Sequence, residues 1–567
     1  MEPVSHFEQD ILRKNHPPIR LTIVYDYALT VEHVADFRAT MTGPAVIGVA
    51  PAFGVNGAFR AIAFASSTDV LLLRIGTTTD LEAKRTAKLT GLNRLADDIL
   101  SNPALTKVAF RSEVLASALF LDLYLRVAEL LDLFSLAGTQ QPPTIVALLS
   151  KLVDGNGINM RKARDLFRDD AYNMQDPNRM AMRAWVAQAM AATHCRASLG
   201  RLPKLDNRVH HTQSLTTLSI LVRQAHQLDA LKPQTTKNDV EHDFKMEDGK
   251  LLVKNTRYKT RLQASPTQVV HVETVCQGRR TIHEGRVGRV RGHAATIDVK
   301  TNIVGQDISI TTVGKDPATN AQRARQEIVW RAFHRQISLD CLPFFSKIWS
   351  YPKSSVNLPP LPPAPSIDYS RPLNDSQKTA IDAILSDADE NRLVMIHGPP
   401  GTGKTTVISA AVNSMSKACP DRGIWLLAQS NVAVKNIAEK LASIDFLKFK
   451  LLVSEGFHFE WHEHLYDKIS DKVILSDEFP TDLVTAENAL LDARVILCTL
   501  SMMSSSHISP IARVARVQTV IIDEASQIQI GDYIPLLQYF KATLAKLVFI
   551  GDDKQRSSGI SILPRRR

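Results

Sequence analysis

The sequence predicts an α/β protein with a parallel sheet near its C-terminus, a small β-barrel or open sheet with stalk helices in the middle, and an N-terminal α/β domain. Three observations support this arrangement. A short apolar strand at Leu393–Ile396 leads through a glycine-rich loop into a helix expected at Thr405–Met415. Three apolar runs separated by glycine and polar residues lie between positions 45 and 75. Alternating apolar and polar residues with glycine turns occupy 268–313.

The composition is that of an ordinary globular protein, with 44% hydrophobic and 22% charged residues. The chain of 567 residues carries a formal net charge of +10, which permits a polyanionic partner without requiring one. Its five cysteines lie far apart and form no CxxC pair, which disfavours a zinc module or a disulfide framework and fits a reducing compartment. No apolar run resembles a signal peptide or reaches membrane-spanning length, so we expect a soluble, intracellular protein without a membrane partner.

Changes in composition divide the chain into segments of the size expected for separate domains and linkers. The expected segments are an N-terminal lead (1–40), an α/β domain (41–200), a polar helical connection (201–267), a β-barrel with a stalk helix (268–350), a proline-rich linker (351–372) and a C-terminal domain (373–567). The charged tract at 237–250 is expected to be a solvated connection. Five prolines between Leu358 and Ser366 predict a stiff linker or strap, although a ligand for a proline-binding module would look similar.

The first α/β domain shows strands followed by alternating helices, with a long apolar helix expected at Glu113–Phe134. This order resembles that of the RNase H-like 3′-5′ exonucleases, although a generic α/β domain would show similar apolar runs. The carboxylates of that family would fall on uncharged residues here, namely Ala50, Ala52 and either Leu115 or Ala116. The late helix AMRAWVAQAMAATHCR has no acidic residue, and Asp132 is the one acidic remnant. Because two-metal phosphodiester cleavage needs clustered carboxylates, we expect this domain to be catalytically inactive.

A basic strand is predicted at Gly285–Arg291, which contains Arg286, Arg289 and Arg291. Other basic or titratable residues lie close to it in the sequence, namely Arg279, Arg280 and His293. Such a strand could contact nucleic-acid phosphates, or its charges could keep an exposed sheet edge from pairing with another chain. The sequence favours neither alternative.

The most informative stretch is VMIHGPPGTGKTT, residues 394–406, because its glycines, lysine and threonine have the spacing of a phosphate-binding loop. Backbone N–H groups in such a loop point at a phosphate, and the following helix N-terminus adds partial positive charge. We expect Lys404 to reach the β- and γ-phosphates of a nucleotide and the Thr405 hydroxyl to hold Mg²⁺. The remaining nucleotide-binding residues of this loop are Gly398, Pro399, Pro400, Gly401, Thr402, Gly403 and Thr406.

Three further polar positions accompany this loop. Gln377 lies at the start of a helix that Asp375 or Ser376 is expected to cap, and its amide could read an adenine edge. Asp523 and Glu524 follow an apolar strand at Val517–Ile522, where an aspartate would complete the Mg²⁺ shell and the next carboxylate would orient or deprotonate the attacking water. Gln555 follows another strand, at Leu544–Ile550, and could contact the γ-phosphate. Ligands collect at the carboxyl ends of parallel strands, where all these residues are expected.

Six segments in order, LNDSQ, GPPGTGKTT, LLAQSNVAVKNIAEKL, ILCTLSM, VIIDEASQ and LVFIGDDKQ, resemble the motifs of superfamily 1 helicases. The closest resemblance is to the branch that contains the nonsense-mediated-decay RNA helicase, senataxin and DNA-replication relatives. It implies a RecA-like domain, ATP and Mg²⁺ as cofactors, and RNA or DNA, expected to be single-stranded, as the partner. It also implies that Ser430, Asn431 and Thr499 contact the nucleic-acid backbone.

The resemblance ends at Arg556, where the family continues into a second RecA-like domain whose arginines complete the ATP site. An arginine finger typically contributes about 10³- to 10⁵-fold in rate, so we expect these 567 residues to hydrolyse ATP slowly and not to unwind duplexes. The alternative is a non-catalytic module that binds nucleic acid or protein and uses the phosphate loop as a nucleotide-controlled switch. The family suggests the nucleus or the cytoplasm and does not decide between RNA and DNA.

Overall fold

A computed structural model describes the chain at residues 4–13, 15–41, 45–54, 57–76, 90–137, 144–153, 157–167, 176–194, 199–240, 244–247, 249–254, 262–265, 268–276, 279–291, 294–299, 303, 307–349, 358–454 and 468–552. The chain divides into two compact units. The first unit comprises Met1–Lys232 and Val329–Ile337, and the second comprises Pro233–Ile328 and Ser338–Arg567. None of the helices in the described residues combines the length and the apolar character needed to cross a membrane.

The first unit contains an eight-stranded mixed sheet with the strand order β1-β2-β5-β4-β3-β6-β7-β8. Its central strand β3 pairs antiparallel with β4 and parallel with β6. β2 lies in the expected N-terminal lead but belongs to this sheet, where it pairs with β5. The strands are β1 (Ser5–Phe7), β2 (Ile19–Tyr25), β3 (Val46–Phe53), β4 (Phe59–Ala65), β5 (Asp69–Arg74), β6 (Thr106–Ala109), β7 (Leu130–Asp132) and β8 (Lys204–Leu205).

Helices cover this sheet because its central strands are apolar on both faces. Trp185 is fully buried against the strands, and the backbone of its helix approaches β3 so closely that a side chain at Gly48 would collide with the carbonyl oxygen of Ala184. The α-helices are α1 (Val31–Ala39), α2 (Ser112–Leu123), α3 (Ile145–Leu152), α4 (Met160–Leu166), α5 (Pro177–Ala189) and α6 (Thr212–Leu231). Ala96–Leu100 forms a π-helical turn.

The prediction of one long helix at Glu113–Phe134 is wrong. α2 ends at Leu123 because Tyr124 adopts a left-handed conformation with φ of 57°, and its N–H donates to the carbonyl groups of Leu119 and Phe120. The chain then forms the buried strand β7. A buried helix and a buried strand are both continuous apolar runs, so the sequence pattern alone does not mark the change between them.

The second unit begins with a seven-stranded antiparallel sheet, the middle sheet, in the order β10-β11-β14-β13-β12-β15-β9. The expected polar connection contributes β9–β11. In β11 an exposed lysine at each end flanks a segment that contains the buried residues Leu251 and Val253. The strands are β9 (Thr235–Asn238), β10 (Lys245–Glu247), β11 (Lys250–Lys254), β12 (Val269–Cys276), β13 (Arg279–Arg291), β14 (Ala294–Val299) and β15 (Asp307–Val313). Two helices follow, α7 (Asn320–Phe333) and α8 (Pro343–Ile348).

The C-terminal sheet is parallel, as predicted, with the order β16-β22-β21-β17-β20-β18-β19. Its strands are β16 (Leu393–His397), β17 (Ile424–Ala428), β18 (Phe449–Val453), β19 (Val473–Leu475), β20 (Val495–Thr499), β21 (Thr519–Ile522) and β22 (Lys546–Gly551). The α-helices are α9 (Asp375–Leu385), α10 (Lys404–Ala418), α11 (Asn431–Ala442), α12 (Leu483–Leu490), α13 (Leu500–Met503), α14 (Ser509–Val514) and α15 (Ile534–Tyr539).

The described end of the proline-rich linker lies against this domain as a strap. Ile367 and Tyr369 pack against its hydrophobic core. The Asp368 backbone N–H donates to the Ser414 hydroxyl over 2.9 Å, and the Pro359 carbonyl accepts from the Arg392 guanidinium over 2.7 Å. The chain therefore reaches α9, and with it Gln377, from a fixed direction.

Candidate nucleotide and nucleic-acid site

The phosphate loop joins β16 to α10 and takes a conformation that only glycine adopts easily at two positions. Gly401 has φ of +80° and Gly403 has φ of +84°, both in the left-handed region. A side-chain carbon at Gly403 would also lie 2.5 Å from the Gln377 amide nitrogen, whereas one at Gly401 would meet nothing within 4 Å. The glycines therefore keep this loop close to its neighbours and leave its backbone accessible.

Lys404 is the first residue of α10, and its side chain folds back over the loop. Its Nζ donates to the carbonyl oxygens of Gly398 (2.8 Å) and Pro399 (3.0 Å). The same ammonium group lies near Asp523 and Glu524, where its charge lowers the pKa of both carboxyls against the larger effect of burial. Thr405 follows in the first turn of α10, a helix of 15 residues whose N-terminus faces the loop.

The two acids lie directly after β21. Asp523 is 8% exposed, and its backbone N–H donates to the Leu427 carbonyl oxygen over 2.8 Å, which fixes it beside the end of β17. Its Oδ1 accepts from the Glu524 backbone N–H over 2.9 Å. Glu524 has φ of 52°, a strained conformation for a residue with a side chain.

Burial raises the pKa of Asp523, and burial followed by the neighbouring Asp523 charge raises the pKa of Glu524. A carboxyl with a raised pKa is a stronger base than an ordinary glutamate and suits proton abstraction from water. Thr405 and Asp523 supply a hydroxyl and a carboxylate, and Mg²⁺ prefers oxygen ligands of this kind together with substrate phosphates. The donor set therefore fits Mg²⁺. Among the described residues, no cluster of three or more His, Cys, Asp or Glu forms a separate metal site.

Gln377 is held in a capping box at the start of α9. Asn374, rather than the expected Asp375 or Ser376, is the N-cap, and its side-chain oxygen accepts from the Gln377 backbone N–H over 2.8 Å. The predicted cap was one or two residues too late in the sequence, because Asx and serine side chains compete equally well for this position. The Gln377 amide nitrogen donates to the Thr402 carbonyl oxygen over 3.1 Å, which brings the side chain to the phosphate loop.

The end of β22 joins the same edge of the sheet. The Gly398 backbone N–H donates to the Gly551 carbonyl oxygen over 3.0 Å. Asp552, which is 2% exposed, lies 3.7 Å from the His397 ring nitrogen, and its backbone N–H donates to the Ser526 hydroxyl over 3.4 Å. None of the three residues His397, Ser526 and Asp552 was predicted as a site residue, although each lies within three residues of a predicted position. Gln555 lies outside the described residues.

The three residues predicted to contact nucleic acid lie farther along this edge. Ser430 is the N-cap of α11, and its hydroxyl accepts from the Ala433 backbone N–H over 3.2 Å. Asn431 is the first residue of that helix. Thr499 caps α13 in the same way through the Met502 N–H over 3.2 Å. A capping hydroxyl that accepts from the backbone can still donate its own proton to a phosphate oxygen.

A cleft of about 440 Å³ lies between the end of β18 and the middle sheet. It is lined by Arg289 of the basic strand, by Gly288 and Val290, and by Ser454, which follows β18. Arg280, Arg286 and Arg289 are exposed, and Arg280 pairs with Glu273 over 3.4 Å. The side chains of Arg279, Arg291 and His293 lie outside the described part of the chain.

The first unit presents no comparable set of polar groups at the positions where the exonuclease resemblance places them. Ala50, Ala52, Leu115 and Ala116 are all buried apolar residues. Asp132 is buried, and its Oδ1 accepts from the backbone N–H groups of Arg111 and Phe134 over 3.2 Å and 2.9 Å. It therefore satisfies backbone donors. Glu113 lies close to it, and their mutual repulsion contributes to the raised pKa of Glu113.

A glycine loop between a parallel strand and a helix, a lysine at the helix start and two acids at the end of a nearby strand are together typical of a P-loop nucleotide hydrolase. Residues 372–559 match the family model of the AAA domain. This match, together with the relatives described next, makes the C-terminal region similar to the superfamily 1 helicases of the nonsense-mediated-decay branch, a family of ATP-hydrolysing enzymes.

The chain is similar to DNA polymerase alpha-associated DNA helicase A of Saccharomyces cerevisiae, with 27% identity over 32% of this chain and 32% of the relative. It is similar to the ATP-dependent helicase NAM7 of the same yeast, with 29% identity over 35% of this chain and 21% of the relative. It is also similar to Regulator of nonsense transcripts 1 of Caenorhabditis elegans, with 24% identity over 62% of this chain and 36% of the relative. The chain thus spans between about a fifth and a third of the length of these relatives.

Two solved structures align with about a third of the chain. Escherichia coli RNase D aligns at 13% identity with a TM-score of 0.23, covering 37% of this chain and 60% of that one. NrnC of Brucella melitensis aligns at 10% identity with a TM-score of 0.22, covering 37% of this chain and 92% of that one.

Proposed function

We propose that this protein binds ATP with Mg²⁺ at the edge of its C-terminal sheet and hydrolyses it in response to single-stranded RNA or DNA. The observation that carries the proposal is the convergence of Lys404, Asp523 and Glu524. These residues come from separate stretches of sequence, yet the lysine charge acts on both acids. Structural ion pairs also perturb pKa values, but a lysine at a phosphate loop facing two acids has the composition of a phosphoryl-transfer site.

Each residue has a proposed task in this reaction. Lys404 and the loop backbone bind the phosphates, Thr405 and Asp523 hold Mg²⁺, and Glu524 orients or deprotonates the attacking water. Gln377 contacts the adenine base. The metal neutralises developing charge on the phosphates when it is bound. Gln555 remains a proposed γ-phosphate contact on the grounds of its sequence position alone.

The nucleic-acid strand is proposed to follow the sheet edge past Ser430, Asn431 and Thr499 and to reach the cleft beside Arg289. The two capping hydroxyls each have a proton to donate, and the N-terminus of α11 favours an anion. Arg289 supplies a positive charge at the far end of this path. The likeness to relatives named as a DNA helicase, an ATP-dependent helicase and a regulator of nonsense transcripts supports nucleic acid as the substrate class. The proposed location is the nucleus or the cytoplasm.

The proposal is tested by measuring phosphate release by the 567 residues with ATP, Mg²⁺ and a single-stranded oligonucleotide of RNA or DNA. Lys404→Ala is expected to abolish turnover, and Lys417→Ala, which removes an exposed lysine from the same helix, is expected to leave it unchanged. Equal turnover by wild type and Lys404→Ala would contradict the proposal. The slow rate expected from the sequence is read from the same assay.

The nucleic-acid path is tested by the double variant Ser430→Ala and Thr499→Val. It is expected to weaken binding of a fluorescent single strand and to reduce the stimulation of ATP turnover, because two phosphate donors are lost. Ser443→Ala is the matched control, since this hydroxyl also bonds the backbone of α11 but at the opposite end of the helix. A loss of strand binding in the control alone would contradict the proposed path. Strand binding that is untouched by Lys404→Ala, without any ATP turnover, would favour the non-catalytic binding module.

A further inference from the structure

The capping box at the start of α9 also holds a side chain of the nucleotide site, in addition to capping the helix N-terminus. Asn374 and Gln377 exchange two hydrogen bonds, since the Asn374 side chain accepts from the Gln377 backbone over 2.8 Å and the Asn374 backbone N–H donates to Gln377 Oε1 over 3.1 Å. The Gln377 amide nitrogen donates in turn to the Thr402 carbonyl oxygen of the phosphate loop over 3.1 Å. The amide is therefore held at both ends, with its oxygen toward Asn374 and its nitrogen toward the loop.

A glutamine amide held in this way still has one lone pair on its oxygen and one N–H on its nitrogen for a ligand. Adenine presents a donor at N6 beside an acceptor at N7, so it can pair with the two remaining groups. Guanine presents acceptors at both O6 and N7, so it leaves the glutamine oxygen facing another oxygen. The direction of the amide is therefore what distinguishes the bases.

We propose that Asn374 is a positioning residue for nucleobase selection, which fixes the Gln377 amide in the orientation that accepts adenine and rejects guanine. This inference rests on the proposed ATP site. Without the capping box, the first turn of α9 loosens and the Gln377 side-chain amide rotates. Either its oxygen or its nitrogen can then face a given position of the base. Gly403 belongs to the same arrangement, because any side chain there would displace the Gln377 amide nitrogen.

The test measures the dissociation constants of ATP and GTP for the full chain by fluorescence titration. Wild type is expected to prefer ATP. Asn374→Ala is expected to reduce the ratio of the GTP dissociation constant to the ATP dissociation constant by about tenfold, because a good bidentate contact to a base discriminates on this scale. The affinity for GTP is expected to change by less than about twofold, since the phosphate contacts are intact.

Three further variants separate positioning from stability. Asn374→Ser is expected to retain the wild-type ratio, because serine forms the same capping box with a glutamine three residues later. Asn374→Gly lacks the side-chain acceptor but is a tolerated N-cap, and it is expected to lose selectivity while remaining folded. Asp482→Ala removes the N-cap of α12, a helix that supplies no residue to the site, and is expected to leave the ratio unchanged.

The outcomes are distinct. A wild type that binds neither nucleotide overturns the proposed function and this inference with it. A wild type that prefers ATP, with the same preference in Asn374→Ala and Asn374→Gly, overturns the inference alone. Loss of selectivity in Asp482→Ala or in Asn374→Ser also overturns it, because the effect would then follow helix stability or the asparagine itself and not the capping box.

Discussion

The protein contains two α/β regions that use their strands differently. In the C-terminal sheet the ends of β16, β17, β20, β21 and β22 carry lysine, acids, hydroxyls and glycines with positive φ. In the N-terminal sheet the central strand β3 carries Ala50 and Ala52, which are buried. Both regions have apolar strands covered by helices, so the scaffold is similar in kind. The difference lies in a few side chains, and we therefore attribute the proposed function to the C-terminal site and not to the fold itself.

The two acids that mark these regions also differ in what they bond. Asp523 accepts from one backbone N–H and lies near Lys404, so its carboxylate faces a partner of opposite charge. Asp132 accepts from two backbone N–H groups and lies near another acid, Glu113. We interpret the first as a group available to a ligand and the second as a group used by the protein backbone. The predictions below test that contrast.

The largest effect is expected at the acid that follows Asp523. Glu524→Gln should lower ATP turnover by about 10²- to 10⁴-fold, the range over which a general base contributes. Binding of ATP should be retained, because the amide has the size of the carboxylate and the phosphate contacts are elsewhere. Single-turnover hydrolysis and fluorescence titration measure the two quantities. Glu487→Gln, at a surface pair with Arg494, is the control and should change neither.

The next effect concerns Gly401 and Gly403, the two glycines of the phosphate loop with positive φ, which form a matched pair. Gly403→Ala should weaken ATP binding by about tenfold or more, because a left-handed alanine costs roughly 1–3 kcal/mol and its side chain also displaces Gln377. Gly401→Ala has the same backbone strain but open space around it, and its loss should be smaller. Equal affinities in the two variants would show that the contact with Gln377 has no role.

In the N-terminal region the corresponding experiment should affect stability and not activity. Asp132→Ala should lower the free energy of unfolding of the first unit by about 1–3 kcal/mol, since it leaves the Arg111 and Phe134 N–H groups without their acceptor. ATP turnover should stay at the wild-type rate. Denaturant titration provides the measurement, with Asp36→Ala at an exposed position as the control. A fall in turnover without a loss of stability would contradict the structural role.

The final effect is a pH dependence of the stability of the first unit. Burial, with the Asp132 charge, raises the pKa of Glu113 to about 7, and burial raises the pKa of Asp132 to about 6. The folded chain thus holds protons that the unfolded chain, with carboxyl pKa values of about 4, releases. The stabilisation that this pair gives the first unit is complete below about pH 4 and is lost as the pH rises to about 7. Above that pH the pair no longer changes the free energy of unfolding. Glu113→Gln should flatten this dependence in denaturant titrations at several pH values. An unchanged slope would contradict the assignment.

The sequence predicted the parts of the site that a contiguous motif specifies. The phosphate loop fixes its own conformation through Gly401 and Gly403, and Asp523 follows an apolar strand, so local patterns were sufficient to place them. The parallel sheet was also predicted, because its strands are mostly apolar. The roles of these residues stay predictions until they are tested.

Other features depend on contacts that no local pattern shows. The pairing of Asn374 with Gln377, and of both with Thr402, requires α9 to lie beside the loop. β11 was missed because its exposed face carries lysines, and β7 was missed because a buried strand and a buried helix share the same apolar composition. Glu113 on α2 and the buried Asp132 on β7 lie close together although they are far apart in the sequence.

The most direct test of the contrast between the two regions follows both chemistries in one reaction. The purified chain is incubated with ATP, Mg²⁺ and a 5′-labelled single-stranded RNA, and phosphate release and RNA length are recorded together. We predict phosphate release that disappears in Glu524→Gln, with RNA of unchanged length in every sample. Stepwise shortening of the RNA from its 3′ end, or phosphate release that is the same in wild type and Glu524→Gln, would contradict the assignment of the chemistry to the C-terminal sheet.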